Sequence, residues 1–173
     1  DCDECSILIK DCNFTNGNAN SIPFLSEGSN LHITLDNCSF ANFYSNAASS
    51  SLYRGGLIVN WGSSKEFNVY NCKFVNMTTL SSVTQNDQAQ SGGVVFLTVG
   101  NPVIRFVNSS FVNCSTIRGN GGSIYVGPTP GSGESKVFNF DITVDNCSFV
   151  NSSAGRHGGA IYVGGYSGQS NEI

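Results

Sequence analysis

Charge is what this sequence most lacks: 8 Lys and Arg and 12 Asp and Glu leave only 12% of its 173 residues charged, well under the usual quarter. Disorder needs low hydrophobicity joined to high charge, so this composition argues against a disordered chain. The net charge of −4 is mild and spread along the chain. No basic cluster is present to neutralise phosphates, which argues against nucleic acid as a partner. Long apolar runs are missing too, so no membrane span is expected. Strong helix formers are scarce, with a single Met and few Leu, Glu or Lys. Gly, Ser and Asn supply turns in their place, while Val, Ile, Phe and Tyr supply strands. The chain reads as all-β with many turns, one domain over residues 1–173.

A secretion signal is also lacking, since the chain opens Asp1-Cys2-Asp3-Glu4, but a trimmed chain lacks one as well. The seven cysteines have no zinc-type pairing: Cys2 and Cys5 form the only C-x-x-C, and no His cluster completes a metal site. No metal or cofactor is expected. This cysteine usage points to an oxidising compartment, extracellular or at the cell surface. Seven is odd, so at least one thiol is free or pairs with another chain.

What is abundant is self-similarity. Asp11-Cys12-Asn13-Phe14-Thr15-Asn16 recurs as Asn37-Cys38-Ser39-Phe40-Ala41-Asn42 and Asn71-Cys72-Lys73-Phe74-Val75-Asn76. It returns as Asn108-Ser109-Ser110-Phe111-Val112-Asn113 and Asn146-Cys147-Ser148-Phe149-Val150-Asn151. A second block alternates with it: Gly55-Gly56-Leu57-Ile58-Val59, Gly92-Gly93-Val94-Val95-Phe96, Gly121-Gly122-Ser123-Ile124-Tyr125-Val126 and Gly158-Gly159-Ala160-Ile161-Tyr162-Val163. Successive Phe positions are 26, 34, 37 and 38 residues apart, which suits a solenoid whose loops vary in length. Within a unit the period is two. Leu31, Ile33 and Leu35 alternate with His32, Thr34 and Asp36, and Phe138, Phe140, Ile142 and Val144 alternate with Asn139, Asp141 and Thr143, as in strands with one buried face. Stacking equivalent strands buries what one short strand cannot, giving a parallel β-helix of about five coils. At about 4.8 Å per coil the rod is roughly 24 Å long.

These alternating G-G-A-I and F-x-x-N motifs resemble those of polymorphic outer-membrane proteins, adhesin-like surface proteins of chlamydiae with relatives among protist surface proteins. The first is complete in Gly158-Gly159-Ala160-Ile161 and varied in Gly121-Gly122-Ser123-Ile124. The second is a variant here, with Asn two places after Phe and not three. The resemblance spans essentially the whole chain. It implies a right-handed parallel β-helix of the pectin-lyase-like type and a role in adhesion, and it transfers no catalytic residue.

Phe14, Phe40, Phe74, Phe111 and Phe149 are expected to stack inward as an aromatic ladder. Asn16, Asn42, Asn76, Asn113 and Asn151 fill one corner per coil, where asparagine tolerates the left-handed conformation and stacked amides bond along the rod. The Gly-Gly pairs suit tight corners that need positive φ or close backbone approach. Cys12, Cys38, Cys72 and Cys147 share the inward parity of Phe and are read mainly as reduced fillers. Cys2, Cys5 and Cys114 are the better disulfide candidates. Tyr125 and Tyr162 share an outward position with Phe96 and Val59, either an exposed binding stripe or a surface under a long loop.

Seven glycosylation sequons occur. Asn37, Asn108 and Asn146 lie three places before Phe and Asn13 one before, all outward in a simple strand, so these four are the favoured acceptors in a eukaryotic source. Asn76, Asn113 and Asn151 sit in the ladder corner and are expected to be less available.

The rival reading is a polysaccharide lyase or hydrolase, because this architecture hosts both, though fold alone licenses neither. A hydrolase needs two close carboxylates. Asp11 and Asp36, with Asp145 near their register, form the best stripe, interrupted by Asn71 and Asn108; Asp141, Glu66 and Glu134 complete the acids considered. Arg156-His157 has no matching partner on other coils, and only His32 and His157 offer a base for any serine. No catalytic residue is assigned. Both ends read as cut, with strands already in register at Ser6 and a new coil starting at Gly158. The chain is therefore expected to be part of a longer rod or a filament subunit that stacks end to end, with a cell-surface or glycan ligand.

Overall fold

The computed structural model describes residues 4–19, 24–46, 58–63, 66–80, 91–99, 103–127 and 141–164. Residues 138 and 140 of the expected fifth-unit strand, and the Gly55-Gly56 pair, lie outside them. In chain order the strands fall into five rounds. The first holds β1 (Cys5–Lys10), β2 (Asn13–Thr15), β3 (Asn18–Ala19) and β4 (Phe24–Ser29). The second holds β5 (Leu31–Asp36), β6 (Ser39–Asn46) and β7 (Ile58–Ser63), and the third β8 (Glu66–Tyr70), β9 (Lys73–Leu80) and β10 (Val95–Val99). The fourth holds β11 (Val103–Val107), β12 (Ser110–Thr116) and β13 (Ile124–Val126). The fifth holds β14 (Asp141–Asp145), β15 (Ser148–Val150), β16 (Ser153–Ala154) and β17 (Ile161–Val163).

Each round contributes to the same three sheets in the same sequence. The first sheet orders β1-β5-β8-β11-β14, the second β2-β6-β9-β12-β15 with β3 and β16 at its edges, and the third β4-β7-β10-β13-β17. Every pairing is parallel and joins equivalent positions of neighbouring rounds. The fold is all-β with parallel sheets.

Period-two alternation decides what faces inward. On the first sheet Ile7, Ile33, Phe67, Ile104 and Ile142 align across rounds, as do Ile9, Leu35, Val69, Phe106 and Val144. Phe67, Val69, Ile104 and Phe106 are fully buried. The outermost rungs lack a neighbour on one side among the described residues, so Ile7 and Val144 are each 41% exposed. The second sheet sends in the five phenylalanines. Their rings stack at 4.8, 5.0, 4.9 and 4.8 Å from Phe14 through Phe40, Phe74 and Phe111 to Phe149, with planes within 11°. Phe40, Phe74 and Phe111 have no exposed surface, and truncating such a residue typically costs about 3–5 kcal/mol.

Two left-handed asparagine or aspartate positions recur in every round and bend the chain without breaking its pairing. Asn16, Asn42, Asn76, Asn113 and Asn151 have φ of 60, 59, 56, 53 and 52°. At Asn42 the alternation resets, so Phe40 and Phe43 both reach the core although they are three residues apart. The other position separates the first sheet from the second: Asp11, Asn37, Asn71, Asn108 and Asn146, with φ of 54, 51, 55, 51 and 47°. Asparagine and aspartate tolerate this region better than residues with larger or branched side chains.

The Gly-Gly corner before the third sheet uses its two glycines for two different reasons. The first has positive φ, 74° at Gly92, 68° at Gly121 and 63° at Gly158. The second lies under the backbone of the next round: a Cβ at Gly93 would stand 2.1 Å from Gly122 O, and one at Gly122 would stand 2.0 Å from Gly159 O.

Candidate functional site

The asparagine side chains that recur once per round bond to the rounds beside them. In the first asparagine column Asn42 Nδ2 donates to Asn16 Oδ1 (3.2 Å), Asn76 to Asn42 (2.9 Å), Asn113 to Asn76 (2.9 Å) and Asn151 to Asn113 (3.2 Å). A second column, absent from the sequence reading, runs beside it. Asn37 Nδ2 donates to Asp11 Oδ1 (2.7 Å), Asn108 to Asn71 Oδ1 (3.4 Å) and Asn146 to Asn108 Oδ1 (2.7 Å), while Asn71 turns to Asp36 Oδ1 (3.1 Å). All eight donations point toward the first round.

This changes the sequon assignment. Asn37, Asn108 and Asn146 were expected to be outward strand residues; they are left-handed corner residues with their amides committed. Asn76, Asn113 and Asn151 are as exposed as the others. Asn13 differs from all six: it is an exposed strand residue in register with Ser39, outside both columns. Burial therefore does not separate the two groups, because each corner turns its asparagine to the outside.

Cysteine closes the first corner from inside. The thiols of Cys12, Cys38, Cys72 and Cys147 each donate to the carbonyl two residues earlier, at 3.0, 3.3, 3.1 and 3.3 Å. Ser109 replaces the fifth and does the same at 2.9 Å to Val107 O, while its Oγ also accepts from Cys72 N at 3.1 Å. All four column thiols are free. Of the disulfide candidates, Cys5 is disulfide-bonded and Cys2 lies outside the described residues. Cys114, expected to pair, is instead a free thiol with no exposed surface, donating weakly to Phe74 O at 3.8 Å and Val112 O at 3.6 Å. It occupies the column of Phe43 and Met77, where no other cysteine stands opposite. Burial pushes the thiols of Cys72 and Cys114 up to about 11.

The acid stripe is split between two register positions, with Asp36 and Asp11 both near Lys10. Asp36 aligns with Lys10 and Tyr70, and beyond them with Val107 and Asp145, whereas Asp11 belongs to the asparagine column. Asp36 Oδ1 accepts from Asn71, and Oδ2 lies 3.2 Å from Lys10 Nζ. The Asn71 hydrogen bond, then Lys10, holds the Asp36 carboxyl below the usual range. Asp145 stands three rounds from Asp36, roughly 14 Å at strand spacing, too far for a shared glycosidic bond. Further along this face Glu66 lies 3.4 Å from His32 Nδ1 and 4.0 Å from Arg105 Nη1. An open groove of about 530 Å³ there is lined by Glu4, Ser6, Ile7, Leu8, His32, Thr34 and Glu66. Among the described residues no three His, Cys, Asp or Glu side chains converge to hold a metal ion, and no helix is long and apolar enough to cross a membrane.

Of the two described members of the tyrosine stripe, Tyr125 is buried and Tyr162 is half-buried. Tyr125 is 4% exposed and its ring stacks on Tyr162 at 5.4 Å. Phe96 and Val59 share its register. The position of His157 is structural through its backbone: Asn120 N donates to Ser91 Oγ (3.1 Å), and His157 N donates to Asn120 Oδ1 (3.2 Å).

No protein-family model matches the chain, and neither a curated protein sequence nor a solved structure matches it.

Proposed function

We propose that this chain is a right-handed parallel β-helix of five coils that works outside the cell as a structural or adhesive surface element and not as an enzyme. The observation that carries the reading is the use of the recurring polar side chains: two columns of asparagine amides, eight bonds in all, hold round to round. Enzymes keep polar groups convergent on a substrate position. Here they converge on one another. Asp11 and Asp36, the best pair for glycoside chemistry, are bonded to Asn37, Asn71 and Lys10. The disulfide at Cys5 supports an oxidising compartment. The G-G-A-I and F-x-x-N resemblance to polymorphic outer-membrane proteins supplies the handedness and the adhesive role, and glycosylation fits a eukaryotic surface protein.

Self-association end to end, or stacking on neighbouring coils of a longer chain, belongs to the same proposal, because an open parallel edge favours a further strand layer. Adhesion is tested by layering the purified chain on cultured cells and on isolated extracellular matrix and measuring retained protein. Negative-stain imaging separates long unbranched fibres from isolated short rods. Reducing-sugar release from pectin-like polymers, lost in Asp36→Asn, would replace this reading with the enzymatic one.

A further inference from the structure

Apolar surface collects on the two outermost rounds. Of the seven large apolar side chains exposed among the described residues, five belong to the first or the last round: Ile7, Leu8, Val144, Val150 and Val163. Among the described residues β1 and β14 each pair on one side only. The two rounds also differ in what they present. Every amide donation in the two columns points toward the first round. Among the described residues this leaves Asn16 Nδ2 as a donor at the first round, and Asn146 Oδ1 and Asn151 Oδ1 as acceptors at the last. Charge follows the same polarity. Lys10 shares one register position with Asp36, Tyr70, Val107 and Asp145, so that position is basic in the first round and acidic in the last.

We infer that the last round of one copy of this chain docks on the first round of another, head to tail and in the register the rounds already keep, with Asp11 restraining the joint. The inference rests on the end-to-end association proposed above and supplies its direction, its contacts and its limit. Continuing the register by one round sets Ile7 of one copy on Ile142 of the other and carries the phenylalanine ladder from Phe149 on to Phe14. Asn16 Nδ2 then meets Asn151 Oδ1, donor to acceptor, as in every round below. Lys10 lies 3.2 Å from Asp36 in its own chain, and an ammonium has three donors, so it can bond Asp145 of the other copy as well. Two first rounds would instead bring lysine toward lysine and donor toward donor. Only the head-to-tail arrangement is complementary, and a contact of that kind extends into a filament unless its rotation closes a ring.

The second column is where the joint is weakest. Its members are Asp11, Asn37, Asn71, Asn108 and Asn146, and an ionised aspartate alone has no N–H to give. Inside the chain this costs nothing, because Asp11 Oδ1 only accepts, from Asn37 at 2.7 Å. Across the joint the Asp11 carboxylate meets Asn146 Oδ1, acceptor against acceptor. The one acidic member of the column thus stands where a further round would add, and it acts as a brake on addition, as charged residues do on exposed sheet edges.

Sedimentation velocity of the full 173-residue chain, unglycosylated and over a range of concentrations, reads the association. Asp11→Asn is expected to tighten it roughly fivefold, the worth of one hydrogen bond gained. This variant keeps the fold, because asparagine holds the position at positive φ in the other four rounds. Asp145→Lys, which sets lysine against Lys10, should weaken association about tenfold or more. Asp141→Lys, the same change of charge on the same strand, should leave it unchanged. Direction is read by cross-linking. Asn13 and Ser148 are exposed and hold one register position in the first and last rounds, close enough across a joint for a disulfide. Asn13→Cys mixed with Ser148→Cys should give a linked pair on mild oxidation, and neither variant alone should. Self-linking of either variant overturns the inference, as does association that ignores both Asp11→Asn and Asp145→Lys. A chain that stays single at every concentration, with Asp11→Asn as well, removes this joint and end-to-end association together. The cell-retention assay then still decides adhesion, which does not depend on the joint.

Discussion

Asn113 Nδ2 lies 2.9 Å from Asn76 Oδ1, and Asn76 Nδ2 lies 2.9 Å from Asn42 Oδ1, so the middle amide gives one bond and takes one. Asn16, at the base of the same column, only takes one. Changing Asn to Asp keeps the acceptor and the tolerance for positive φ but removes the donor. Asn76→Asp is therefore expected to lose about 0.5–1.5 kcal/mol, the net worth of a typical hydrogen bond at a solvent-exposed site, and Asn16→Asp to lose almost nothing. Denaturant unfolding of the two variants checks this. Equal losses would mean the columns do not act as directional hydrogen-bond chains.

A similar contrast separates Gly122 from Gly159. An added Cβ at Gly122 meets Gly159 O at 2.0 Å and Ser153 O at 2.5 Å, both backbone, while at Gly159 the nearest atom is 3.6 Å away. Overpacking typically costs about 1–3 kcal/mol, and Gly122→Ala should reach the upper part of that range because no side chain can swing clear. Gly159→Ala should stay within about 0.5 kcal/mol of wild type, as uncrowded substitutions do. Thermal unfolding of both variants decides it; a stable Gly122→Ala would show that the rounds can part at this corner.

Much of this arrangement was legible because the residue types recur in register. The phenylalanine stack and the first asparagine column follow from F-x-N in every unit, and Ser109 is recognisable as a thiol substitute from its place alone. The second column was not. Asp11, Asn37, Asn71, Asn108 and Asn146 directly precede Cys or Ser in every unit, a recurrence as strict as the first. Counting by twos through a strand assigns them an outward phase, and a left-handed residue breaks that count without leaving a trace in hydrophobicity. The signal was the residue type: asparagine or aspartate at the same step five times. For Tyr125 the sequence leaves open an exposed and a covered position, because the ring that stacks on it, Tyr162, is one round away in space and 37 residues away in sequence.

The glycosylation expectation narrows accordingly. A sugar on Nδ2 leaves one N–H, and at six of the seven sequons that nitrogen already donates to the neighbouring round. Asn13 carries no such bond to preserve. Glycopeptide mapping of the folded chain secreted from a eukaryotic host should find the highest occupancy at Asn13. Dominant occupancy at Asn76, Asn113 or Asn151 would show that the columns tolerate substitution.

The thiols give a prediction in pH. Cys72 and Cys114 ionise near 11 in the folded chain, against an ordinary value of 9.0, chiefly because burial disfavours the thiolate. A folded value raised above the unfolded one gives stability that is complete below the unfolded value and is lost as pH climbs toward the folded one. The unfolding midpoint should therefore fall between about pH 9 and pH 11. Lys10, held protonated by Asp36, acts in the same direction, so the wild-type curve alone cannot isolate the thiols. Cys72→Ser can. Ser109 already occupies this column, donating to Val107 O at 2.9 Å, so a hydroxyl fits the site, and it does not ionise in this range. The difference between wild type and Cys72→Ser, measured by urea unfolding at steps from pH 8 to pH 11, should shift in favour of the variant as pH rises. A difference constant with pH would mean that Cys72 does not hold its proton more tightly when folded, and that the first corner is open to water.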